Sequence, residues 1–116
     1  MNVKGYEINP GVDLQNADLK GANLRNTSLG YANLKGANLF GADLHGADLH
    51  GADLGGANLG NANLGGADLH GADLQDANLV GADLRNANLC NTNLYWAKVK
   101  SEQVKDIIKG ICIKVD

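Results

Sequence analysis

The chain is poor in what conventional cores are built from, with one Trp, one Phe and three Tyr among 116 residues. Large rings therefore cannot supply the interior, and any core must be made of small and aliphatic side chains. Its two cysteines, Cys90 and Cys112, are far apart and too few for a disulfide framework. No apolar run reaches about 18 residues, so the sequence offers no membrane-spanning helix and no membrane partner is expected. Residues 1–7 lack the apolar stretch of a secretory leader, so export is unsupported and the expected location is cytoplasmic. Ten Lys and Arg against thirteen Asp and Glu leave a net charge of −3. That balance argues against direct nucleic-acid binding, which normally needs a basic surface. Two domains would be too small to bury much surface each, so one domain is expected.

Leucine, alanine and glycine are abundant, and they recur with a period of five. Leu14, Leu19, Leu24, Leu29, Leu34, Leu39, Leu44, Leu49, Leu54, Leu59, Leu64, Leu69, Leu74, Leu79, Leu84, Leu89 and Leu94 follow one another without a gap, and Val99 takes the next place. Ala stands two residues before each, except at Val12, Thr27 and Thr92. Asp or Asn stands immediately before each, except at Ser28 and Lys98. On an α-helix, five steps would scatter the leucines around the axis. On a continuous strand, five steps would reverse the face each time. Ala and Leu share a strand face, the Asp or Asn between them points away, and the next two residues have turn composition. Each repeat therefore reads as a short extended stretch and a corner. Stacked repeats form an all-β solenoid with every leucine inside.

The unit, seen as Ala42-Asp43-Leu44-His45-Gly46, resembles the A-(D/N)-L-x-x consensus of the pentapeptide-repeat proteins. The resemblance spans residues 12–101. It implies a right-handed quadrilateral β-helix with four repeats per coil, hence about 4.5 coils and a rod of ~22 Å at ordinary strand spacing. The expected division is an N-terminal cap at 1–11, the solenoid at 12–101, and a C-terminal helix and tail at 102–116. Val3, Tyr6 and Ile8 are placed to cover the first coil. Ser101 is a plausible N-cap and Gly110 a plausible stop for a short helix. Its stripe Val104, Ile107, Ile108 and Ile111 would pack on the last coil beside Trp96 and Val99, or else form a dimer contact. A monomer, or a homodimer through a terminal cap, is expected.

With four repeats per coil, residues twenty apart stack in columns. One column holds His50, His70 and Cys90, with Asp48 and Asp68 two residues before the histidines. These are zinc- or copper-type ligands, but a flat face gives them little concavity, so they are weak metal candidates and no metal or other cofactor is assigned. Charge is sided. The first and fourth faces carry Asp13, Asp48, Asp53, Asp68, Asp73 and Asp76 against Lys35, while the second and third are net basic. Asp48, Asp53, Asp68, Asp73 and Asp76 are thus candidate protein-binding residues. The corners Gly55-Gly56, Gly60-Asn61 and Gly65-Gly66 read as a bare central coil. Phosphate-loop, His-Glu-x-x-His and Cys-x-x-Cys motifs are lacking, and a solid rod offers no catalytic pocket, so no enzyme activity or catalytic residue is expected.

The functional expectation is a non-enzymatic rigid scaffold or protein-interaction module. The alternative that the resemblance brings is a DNA-mimic regulator of an enzyme such as gyrase. Duplex DNA carries a charge every ~1.7 Å, far denser than this chain's, which weighs against that alternative. Surface metal binding through the His/Asp/Cys column is weaker still.

Overall fold

A computed structural model describes residues 1–112. The repeats wind into a four-sided coil in which residue n pairs in parallel with residue n + 20, from Asp13–Asn33 through Asn78–Lys98. Each extended stretch is so short that only its central residue forms a bridge, so regular strand is confined to the N-terminal hairpin. The ladder is nonetheless continuous. Leu54 N–H donates to the Asp73 carbonyl at 2.7 Å, and Asp73 N–H donates to the Ala52 carbonyl at 2.9 Å, a pattern repeated coil after coil.

Two local devices make each corner. The Ala N–H closes a turn on the preceding Leu carbonyl, as Ala57 does on Leu54 at 3.0 Å. The second residue after each leucine has a positive φ, for instance Gly56 at 65° and Asn61 at 54°. That combination is a type II turn, which explains why Gly and Asn dominate the position. The Asp or Asn before each leucine fixes the corner's other side, because its Oδ1 accepts the N–H two residues on (Asp73 from Gln75, 2.9 Å). Only an acceptor oxygen is required, so Asp and Asn interchange freely.

The sixteen leucines from Leu14 to Leu89 are buried, together with the alanines beside them. Leu94 and Val99, expected to be in the core, are only half-buried, because no further coil lies over them. Thr27 is tolerated at a buried Ala position because its hydroxyl donates to the Leu24 carbonyl at 2.7 Å.

Both ends are closed. At the N-terminus, β1 (Asn2–Val3) and β2 (Tyr6–Glu7) form a hairpin. Ile8 behind it is buried, and the Tyr6 hydroxyl accepts the Asp18 N–H that has no preceding coil to meet. At the C-terminus, a 3-10 turn at Ser101–Gln103 leads into α1 (Val104–Gly110). Lys100, not Ser101, occupies the N-cap, and its N–H donates to Gln103 Oε1 at 2.7 Å. The expected apolar stripe is divided. Ile107 and Ile111 pack against the core, whereas Val104 and Ile108 are exposed, because this short helix lies along the rim and presents only one edge to it. Trp96 is 70% exposed and so does not serve as a cover for the last coil; it packs edge-on against Tyr95. The expected tail at 113–116 lies outside the described residues.

Candidate functional site

The coil register brings four of the five candidate aspartates into one grid. Asp48 pairs with Asp68 on one face, and Asp53 pairs with Asp73 on the next face around the coil. Below Asp68 and Asp73 the next residue in the column is Asn, whose amide donates across the rung, Asn88 to Asp68 and Asn93 to Asp73, both at 3.2 Å. Asp48 above Asp68 and Asp53 above Asp73 have no such donor between them, so carboxylates face each other at strand spacing.

Beside this grid lies a notch of about 280 Å³, bordered by Lys35, Asp53, Gly55, Gly56, Asp73, Gln75 and Asp76. Gly55 makes it. Lys35 and Gln75 stand one coil before and one coil after, and Gly55 puts no side chain between them. Two other glycines of the supposedly bare coil, Gly60 and Gly65, are covered, while Gly56 and Gly66 stay open. The Phe40 ring lies 2.9 Å from where a Gly60 Cβ would be, and the His45 ring 3.1 Å from that of Gly65. Rings from the preceding coil drape over Gly60 and Gly65, so the bare-coil expectation is corrected at those two positions, whereas Gly55, Gly56 and Gly66 stay bare and a second recess lies beside Gly66 between Arg25 and Arg85.

The opposite face carries the cations, but its arginines are occupied. Arg25 pairs with Asp43 at 3.0 Å and Arg85 with Asp83 at 2.7 Å. Burial raises the Asp43 carboxyl, but the His45 N–H and the Arg25 guanidinium more than offset this and hold it below the usual range. The Arg85 side chain does the same for Asp83. Among the described residues, Asp53, Asp68, Asp73 and Asp76 form no ion pair.

Of the weak metal candidates, Asp48, His50 and Asp68 are brought together, each offering a ligand atom within 4.8 Å of the others. His50 Nδ1 is already engaged with Asp48 Oδ1 at 2.6 Å, and this bond holds the Asp48 carboxyl low. The His50 ring leans the other way, onto Gly30 and edge-on to Tyr31 at a centroid distance of 4.8 Å. His70 is exposed and does not join the group. Cys90 is removed as a ligand, because its sulfur is bonded to Cys112 with the two Cα atoms 4.8 Å apart. The sequence gives no sign of that disulfide: a spacing of 22 residues carries no signal, and only the return of α1 to the last coil brings the sulfurs together. Gln103 also escapes the sequence reasoning, although a lone Gln before an apolar helix at the end of a repeat array is where an edge-capping amide would be sought.

With this geometry in view, the chain compares clearly with known proteins. The family described as pentapeptide repeats matches in eight copies over residues 11–46, 47–85 and 67–100. The chain belongs to the pentapeptide-repeat family, whose members form right-handed quadrilateral β-helices. It is similar to a pentapeptide repeat protein, Rfr23, from the cyanobacterium Cyanothece 51142, at 40% identity and a TM-score of 0.71, with 81% of this chain aligned. The chain spans 58% of that protein's length. It is also similar to a pentapeptide repeat protein from the Arabidopsis thaliana thylakoid lumen, at 31% identity and a TM-score of 0.58, covering 87% of this chain and 74% of the other. No curated protein sequence matches the chain at a significant level.

Proposed function

We propose that this chain is a non-enzymatic, rigid scaffold that binds another protein through its acidic flank. The family's members are generally structural or interaction modules, which supports the coarser part of this reading. One observation carries the finer part. Asp53, Asp73 and Asp76 border the Gly55 notch without an ion-pair partner among the described residues, whereas Arg25 and Arg85 opposite are each paired with an aspartate of their own. Such a flank suits a partner that presents Lys or Arg side chains, and the carboxylates left without an ion pair would set both association rate and specificity. The rigid coil keeps the grid in place without an ordering cost on binding. About 4.5 coils with a helical C-terminal cap, cytoplasmic residence, and a monomer or a dimer joined through a terminal cap complete the proposal.

The test is affinity capture from the native host, compared with the same protein carrying Asp48→Lys, Asp68→Lys and Asp73→Lys. These side chains lie outside the core, but each accepts a corner N–H, from His50, His70 and Gln75, so recovery is compared only once the two proteins give the same far-ultraviolet spectrum. Loss of a captured protein from the variant alone supports the acidic flank. Equal recovery by both proteins would exclude it.

A further inference from the structure

The C-terminal cap is thinly attached. None of the residues of α1 is buried, and a cleft of about 550 Å³ separates it from the last coil beside Arg85, Asn88, Asp106 and Lys109. Seven residues are too few for a helix to persist without tertiary support. At its start, α1 is anchored by the buried Gln103 amide. At its end, the Gly110 carbonyl accepts the Leu89 N–H at 2.8 Å, standing in for the missing coil. Gly110 must be glycine for this approach, since a Cβ would lie 2.7 Å from the Ala87 carbonyl oxygen. Directly beside this contact, the Cys90–Cys112 disulfide ties the chain after α1 to the last coil. Cys112 is exposed and Cys90 half-buried, so the bridge is open to solvent from its Cys112 side.

We propose that Cys90–Cys112 is a thiol-exchange site, a reducible latch whose opening by a dithiol releases the C-terminal cap. A thiolate of the dithiol attacks the exposed Cys112 sulfur, forms a mixed disulfide there and expels the Cys90 thiolate, which takes a proton from water. The dithiol's second thiolate then attacks its own sulfur in the mixed disulfide and expels the Cys112 thiolate, which is protonated in turn. The protein disulfide is reduced to two thiols and the dithiol is oxidised to its disulfide. Exposed bridges of this kind exchange readily, whereas structural ones resist the glutathione pool. Once the latch opens, the cap frays from Cys112 back toward Gln103, and the Leu89 amide and the last-coil rim become accessible. The inference does not depend on the acidic flank.

Amide hydrogen exchange on the full-length protein, oxidised and then reduced with dithiothreitol, tests this. Leu89 and Ile111 should exchange at least about tenfold faster after reduction, while Leu54 in the middle of the coil is unchanged. Cys112→Ser should reproduce the reduced pattern without any reductant. Unchanged exchange at Leu89 on reduction would overturn the latch. So would a native bridge that survives incubation in an excess of reduced glutathione, since that marks a purely structural disulfide.

Discussion

Replacing Gln103 by alanine removes the piece that finishes the last coil. The side chain is 7% exposed, and its amide makes four hydrogen bonds to backbone. Nε2 donates to the Leu79 carbonyl at 2.7 Å and to the Ala82 carbonyl at 2.9 Å. Oε1 accepts the Lys100 N–H at 2.7 Å and the Gly81 N–H at 3.3 Å. In the preceding coils, groups equivalent to Ala82 O and Gly81 N meet the next coil's backbone; here one side chain takes the place of both. A net hydrogen bond contributes roughly 1 kcal/mol, and a buried group left unpaired costs about 1–3 kcal/mol. Water reaches the rim and recovers part of that, so Gln103→Ala should destabilise by about 2–4 kcal/mol. Urea unfolding with linear extrapolation gives the value directly, and the slope should be nearly unchanged because the surface exposed on unfolding is nearly the same. Gln103→Glu separates hydrogen bonding from packing. It keeps the acceptor and the volume but turns the donor toward two carbonyls into a carboxylate oxygen, so at neutral pH it should be at least as damaging as alanine. Protonating it in acid should restore part of the loss. A Gln103→Ala protein within about 0.5 kcal/mol of the parent would refute the edge-capping argument.

Further predictions concern the corner, the core and the acidic face. Gly56 has φ 65° and open space within 4 Å of where a Cβ would stand, so Gly56→Ala should cost about 1 kcal/mol through backbone conformation alone, and Gly56→Asn less; urea midpoints decide. Leu54 is fully buried in the column of leucines, and Leu54→Ala should lose about 3–5 kcal/mol, with an Ala57→Leu variant also destabilised by overpacking. The Asp48 carboxyl is held low by the His50 hydrogen bond in the folded state. A depressed folded value contributes stability that is present above the unfolded aspartate value and is lost as pH falls through the folded one. Melting temperature should therefore drop less steeply with acid below the aspartate range in Asp48→Asn than in the parent; identical slopes would remove the role of this contact.

The period of five is enough to read the solenoid because every repeat restates the same constraint: Leu inside, Asp or Asn stapling the corner, Gly or Asn in the left-handed position. The acidic grid is legible too, once four repeats are taken per coil, since it follows from arithmetic on residue numbers. What could not be read are features made by single events at the ends or between unlike side chains. Cys90 and Cys112 meet because a rim helix folds back, which no spacing encodes. Phe40 and His45 cover Gly60 and Gly65 because a ring can reach across one rung into space that glycine leaves, so a coil that reads as bare throughout is covered at two of its corners. Tyr31 and Trp96 break the corner rule outright, holding φ values of 58° and 61° where the array otherwise prefers Gly, Asn or Asp. Tyr31 has a local reason in its contact with His50 and its place over Gly51. For Trp96 the edge-on contact with Tyr95 is the only one evident among the described residues.

The central claim, that each coil takes twenty residues with the leucines turned inward, is tested most directly by scalar couplings across backbone hydrogen bonds in nuclear magnetic resonance. Leu54 N–H should couple to the Asp73 carbonyl carbon, Leu59 to Asn78 and Leu64 to Asp83, each nineteen positions ahead. Couplings to carbonyls fourteen or twenty-four positions ahead, about one repeat short or long of the expected register, would contradict the four-sided coil.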